Sequence, residues 1–134
     1  MISLPGNSLL LVPRSICYAR FMLVELHEEQ DLEPLLERSQ KRPVVFFKHS
    51  TQCSRSAAAH LELQTFSKRN PDVPCGIVHV IEDRELSDVL EERFGIEHES
   101  PQAIVVSFGK PVWHANHYRV TVNALEDATG TRKA

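Results

Sequence analysis

Val44-Val45-Phe46-Phe47-Lys48-His49-Ser50-Thr51-Gln52-Cys53-Ser54-Arg55-Ser56 runs from four consecutive apolar residues into a polar stretch, and Ala57-Ala58-Ala59 then opens a helical run. A short apolar run bounded by polar residues reads as a strand buried on both faces. Cys53 therefore stands where a strand hands over to a helix. The N–H groups at a helix N-terminus carry partial positive charge and favour thiolate over thiol. They can lower a cysteine pKa from about 8.5 into the range of roughly 3.5–7.5. A lone cysteine is more often a small buried apolar residue, but Cys53 lies among polar residues, so thiol redox chemistry is the leading reading.

Upstream, Asp31 is placed to cap a helix in which Leu32, Leu35 and Leu36 share a face, with Pro34 tolerated in its first turn and an end near Ser39. Pro43 opens the strand Val44–Phe47. A helix from about Ser54 to Arg69 carries Ala59, Leu63 and Phe66 on one stripe and stops at Asn70-Pro71. Val73 to Ile81 reads as a second strand, and Arg84 to Phe94 as a helix with Leu86, Val89, Leu90 and Phe94 on one face, ended by Gly95. Ala103-Ile104-Val105-Val106 is a third strand, turned by Gly109-Lys110 into a fourth, Pro111–Ala115. So short a connection makes that pair antiparallel. Thr121 caps a last helix that buries Val122 and Leu125 and ends at Gly130.

The order α-β-α-β-α-β-β-α, with a parallel crossover first and an antiparallel hairpin last, is the thioredoxin-like order. The fold class expected is α/β, with a central four-stranded mixed sheet flanked by helices. In that order a reactive cysteine belongs just after the first core strand, the place of Cys53, and a dithiol enzyme would carry its second cysteine where this chain has Ser56. Cys-x-x-Ser can form a mixed disulfide but cannot resolve it through a neighbour three residues on. The hydroxyl or the backbone N–H of Ser56 is placed to hydrogen-bond the thiolate, and Arg55 and Lys48 add positive potential. Ser100-Pro101-Gln102 precedes the third strand at the junction where thioredoxin-like folds hold a cis proline. The backbone of Ser100 would then pair with an extended client segment.

The 134 residues, 42% hydrophobic and 25% charged, suit one domain over 22–134, with 1–21 read as a poorly ordered extension or the product of a start codon placed too early. A net charge of −3 and pI near 6.1 provide no basic footprint for nucleic acid. No apolar run reaches the roughly 18 residues of a spanning helix, so no membrane partner is expected. Cys17, Cys53 and Cys75 match no zinc-ribbon spacing and leave an odd cysteine in any disulfide framework, which favours a reducing cytoplasm. Cys75, near a strand start, reads as a packing residue, and Cys17 at most as an opportunistic resolving thiol. Of seven histidines, His49 and His98 are accessory candidates, with an exposed loop the ordinary fate of His49. His114 and His117 lack the helix and glutamate of a metal motif, and no metal site is expected.

The blocks Phe47–Ser56, Val80-Ile81-Glu82-Asp83-Arg84-Glu85-Leu86-Ser87, Phe94-Gly95-Ile96-Glu97-His98-Glu99-Ser100-Pro101-Gln102 and Trp113-His114-Ala115 together closely resemble the monothiol bacilliredoxin family. The resemblance spans about Leu23 to Leu125. One departure is Cys53-Ser54 where the family more often has Cys-Pro, which removes a favoured but dispensable proline from the first helical turn. The resemblance implies a thioredoxin-like fold, no bound cofactor, and bacillithiol as thiol co-substrate. Cys53 would be the nucleophile that takes bacillithiol off S-bacillithiolated client proteins, and free bacillithiol or a reductase would regenerate it. The competing reading is a non-catalytic thioredoxin-like binding module, or an iron–sulfur cluster carrier using Cys53 with an external thiol. A thiol peroxidase fits less well, because Thr51-Gln52-Cys53 lacks that class's proline-rich setting.

Overall fold

The computed structural model describes residues 23–132. The expected extension 1–21, with Cys17, lies outside them. Five strands form one sheet: β1 (Leu23–Leu26), β2 (Val44–His49), β3 (Cys75–His79), β4 (Gln102–Ser107) and β5 (Lys110–Asn116), in the spatial order β1-β3-β2-β4-β5. β1, β3 and β2 run parallel, while β4 is antiparallel to both β2 and β5. The expected four-stranded sheet is therefore corrected to five. The added strand is the edge strand Leu23-Val24-Glu25-Leu26, whose four residues are too few to carry a decisive alternation.

Four helices flank the sheet: α1 (Leu32–Arg38), α2 (Ser54–Arg69), α3 (Arg84–Phe94) and α4 (Val122–Thr129). A 3-10 turn at Glu29–Asp31 leads into α1, and another at His117–Arg119 precedes α4. Because successive strand residues face opposite sides, β2 feeds two cores. Val45 and Phe47 pack with Ala59, Leu63 and Phe66 of α2 and Val122 and Leu125 of α4. Val44 and Phe46 pack with Leu32, Leu35 and Leu36 of α1 and Leu86, Leu90 and Phe94 of α3. The result is helices, sheet, helices.

The breaks fall where local chemistry puts them. Gly95 closes α3 at φ 67°, the left-handed conformation that glycine adopts without a Cβ clash. Thr121 caps α4 by accepting the Ala124 N–H at 3.1 Å. Phe108 and Gly109, at φ 52° and 75°, form the two-residue connection between β4 and β5, and positive φ at both central residues matches the twist of a tight hairpin. The parallel strands β2 and β3 end at His49 and His79, and Gln102, the first residue of β4, lies opposite Lys48. The loop to Cys53 and the segment ending at Pro101 thus leave the same rim of the sheet.

Candidate functional site

The last two residues of β2 turn to opposite faces, and both are buried: Lys48 is 0% exposed and His49 6%. Lys48 Nζ lies 3.2 Å from His98 Nδ1, which also approaches Ser87 Oγ at 3.4 Å. Burial lowers the Lys48 pKa, opposed by Glu91 and Asp88. Burial likewise lowers that of His98, assisted by the Lys48 charge. Lys48 and His98 thus pin the 95–101 loop to β2. The groups that act on the thiol are Ser56 and Arg55, so the expected contribution of Lys48 to its potential is replaced by a tether.

Cys53 is the N-cap of α2, with extended backbone at φ −126° and ψ 124°, and its thiol is partly exposed. Its pKa lies below the ordinary value chiefly through the Ser56 backbone N–H beside the sulfur, an N–H that also donates to the Cys53 carbonyl at 3.0 Å. Partial burial opposes this, and Arg55 adds its backbone N–H, its side chain and its charge. The Ser56 hydroxyl is turned elsewhere. It lies 2.7 Å from His49 Nδ1 and accepts the Ser50 N–H at 2.9 Å. Of the two donors Ser56 offers, the hydroxyl is turned away from Cys53, and the backbone N–H lies beside the thiol and donates to the Cys53 carbonyl.

Cys75 is 0% exposed, with its Sγ 3.6 Å from the Val73 carbonyl, and burial pushes its thiol pKa far upward. Thiolate is the reactive form. Iodoacetamide at pH 6.5 is therefore expected to label Cys53 of the native protein well before Cys75, followed by peptide mass spectrometry. Equal rates at the two positions would count against an activated thiol.

The Ser100–Pro101 peptide bond is cis. Pro101 is buried, and its carbonyl accepts the His117 N–H at 2.9 Å. The Ser100 hydroxyl oxygen is buried with no hydrogen-bond partner. Next to it, the Gln102 amide donates to the Glu97 carbonyl at 2.9 Å and to Asn116 Oδ1 at 3.0 Å.

His49 departs from the exposed loop expected of it. As the last residue of β2 it faces α2, where its ring lies 4.5 Å from that of His60, 5.6 Å from that of His79 and 5.8 Å from that of Phe47, centroid to centroid. Burial, with His60 and His79 beside it, pushes the His49 pKa down to about 4, against the pull of Glu82 and Glu25. Glu25 of β1 approaches His79 Nε2 at 3.6 Å. His60 and His79 are absent from the sequence-derived candidates. His60 was accessible through spacing, since Ser56, His60 and Leu63 fall at i, i+4 and i+7 of one helix, whereas His79 required the β2–β3 register. Among the described residues no group of three or more His, Cys, Asp or Glu side chains is placed to hold a metal ion, and no helix is long and apolar enough to cross a membrane.

A thioredoxin fold with one cysteine at the start of the helix after its central strand defines a class of thiol redox proteins. Solved structures agree on the fold. A candidate oxidoreductase with a thioredoxin fold superposes with a TM-score of 0.74 at 29% identity, covering 83% of this chain and 96% of its own. Reduced thioredoxin pre-protein from Schistosoma mansoni gives 0.65 at 22% identity, covering 81% and 95%. Thioredoxin from Fasciola hepatica gives 0.65 at 18%, covering 81% and 98%. Within the class the family is specific. Residues 24–125 match the profile described as Monothiol bacilliredoxin BrxC, and the chain belongs to that family.

Proposed function

We propose that this protein is a monothiol thiol–disulfide oxidoreductase that removes bacillithiol from S-bacillithiolated proteins through a mixed disulfide on Cys53. The observation that carries the reading is the partly exposed Cys53 at the N-terminus of α2, its pKa lowered by the Ser56 N–H, in a chain of the monothiol bacilliredoxin family. The Cys53 thiolate attacks the bacillithiol sulfur of the client's mixed disulfide. The client sulfur leaves as a thiolate and takes up a proton, and bacillithiol is now disulfide-bonded to Cys53. The position three residues on is a serine whose hydroxyl is engaged by His49 and Ser50, so resolution falls to an external thiol. The thiolate of a second bacillithiol attacks the bacillithiol sulfur on Cys53. This releases bacillithiol disulfide and restores the Cys53 thiolate, so the client is reduced and one free bacillithiol is consumed, which leaves joined to the one taken from the client.

The cis Ser100–Pro101 segment at the same rim is the proposed docking edge for the client backbone, with Ser100 as the residue that pairs. Client proteins and a low-molecular-weight thiol are the partners, in a reducing cytoplasm. Mixing the reduced protein with a bacillithiolated client and reading intact masses is expected to show the client losing one bacillithiol as Cys53 gains it. Added free bacillithiol should then clear the adduct. An unmodified Cys53 beside a client that keeps its adduct would sink the proposal.

A further inference from the structure

His49 is nearly fully buried at the end of β2, yet the exchange chemistry above assigns it no role. Its ring Nδ1 lies 2.7 Å from the hydroxyl of Ser56, the residue whose backbone N–H lies beside the Cys53 sulfur. We propose that His49 is a positioning residue for the Cys53 thiolate, acting through the Ser56 hydroxyl. The inference rests on Cys53 being the reactive thiol, and needs no particular client.

With the Ser50 N–H donating to Ser56 Oγ at 2.9 Å, the Ser56 hydroxyl in this proposal donates its proton to His49 Nδ1, 2.7 Å away. Nδ1 is then the acceptor, and the proton of the neutral imidazole sits on Nε2. These two bonds lock three pieces together: the end of β2 through His49, the loop to the nucleophile through Ser50, and the first turn of α2 through Ser56. A second tie reinforces the loop, since the Cys53 N–H donates to the Ser50 carbonyl at 3.3 Å. What the lock fixes is the direction of the Ser56 N–H relative to the sulfur. That matters because the N–H stabilises the thiolate only while it is aimed at it.

The lock requires an imidazole that accepts, which means a neutral one. The groups facing His49 are His60 of α2, His79 of β3, Glu25 of β1 and Glu82 beyond the end of β3. With the ring buried among them, the pKa of about 4 keeps the imidazole neutral from about pH 5 upward, as the lock requires. The stacked Phe47 ring and the tilted His60 ring hold the imidazole between them, with Nδ1 toward the Ser56 hydroxyl.

The test is the pH dependence of Cys53 alkylation by iodoacetamide, read by peptide mass spectrometry on the full chain, for the native protein and for His49→Leu, Ser56→Ala, the double variant and His49→Asn. His49→Leu and Ser56→Ala are each expected to slow alkylation below the thiol pKa by roughly fivefold to tenfold, the scale of one lost hydrogen bond. The double variant should be no slower than either single one, because both remove the same link. His49→Asn places an acceptor near the position of Nδ1 and should restore most of the native rate. At alkaline pH, where every thiol is ionised, all rates should converge to within about threefold.

Profiles of His49→Leu and Ser56→Ala that overlay the native one would overturn the proposal. So would losses that multiply in the double variant, or a uniform slowing that persists on the alkaline plateau, which would mark general distortion. Should His49→Leu fail to fold, Ser56→Ala set against His49→Asn decides the matter by the same criteria. Iodoacetamide reports the thiol whatever its physiological partner. A failure of bacillithiol transfer with an intact alkylation pattern therefore rejects the proposed function alone, and the converse result rejects the His49 link alone.

Discussion

Cys53→Ser is expected to abolish bacillithiol transfer, by on the order of a thousandfold or more, because the hydroxyl cannot take the place of the attacking thiolate. Stability should move the other way or not at all. Cys53 is the N-cap of α2 and makes no side-chain capping hydrogen bond. Serine is among the preferred N-caps, and a good cap contributes about 0.5–2 kcal/mol. Thermal melts of the variant should therefore match the native protein or rise by a few degrees, about 3–5 °C per kcal/mol for a chain of this size. An inactive variant with a sharply lowered Tm would identify Cys53 as a packing residue. Undiminished transfer would move the nucleophile to another residue.

The placement of Cys53 was legible in the sequence because its determinants are local. The apolar run Val44–Phe47, the polar break and the alanine-rich start of α2 place Cys53 at the helix N-terminus without any long-range information, and that is where it lies. Helix ends at Asn70, Gly95 and Gly130 were legible for the same reason. Less visible was anything set by register between distant segments. β1 exists because Leu23–Leu26 aligns with Cys75–Val78 of β3, and four residues at an edge do not announce that pairing. Which way Lys48 and His49 point depends on where β2 stops. Read as a strand ending at Phe47, both fall in a loop, but the strand continues through His49, and alternation then buries one on each face. The two extra strand residues are why a histidine expected in solvent became a partner of Ser56.

The same burial has a consequence for stability against acid. An unfolded histidine titrates near 6.5, whereas His49 in the fold titrates at about 4. Between those values the unfolded chain holds a proton that the folded chain does not, so stability from this group is fully present above about 6.5 and is lost as pH falls toward 4. The full interval corresponds to about 3 kcal/mol, with a slope of up to roughly 1.4 kcal/mol per pH unit, a large fraction of the 5–15 kcal/mol of a typical domain. His60 and His98, whose pKa values are also lowered by burial, add in the same direction. His27, raised by its hydrogen bond to Asp83, works in the opposite sense, but its side chain is 56% exposed and a pair of that kind contributes little. Urea midpoints measured from pH 7 down to pH 4 should therefore fall steeply in the native protein. In His49→Asn, which keeps an acceptor for Ser56 and cannot be protonated in this range, the fall should be shallower by about 3 kcal/mol over the interval. Parallel slopes in the two proteins would show that acid attacks the fold elsewhere, and that protonation of His49 is not what the folded state resists.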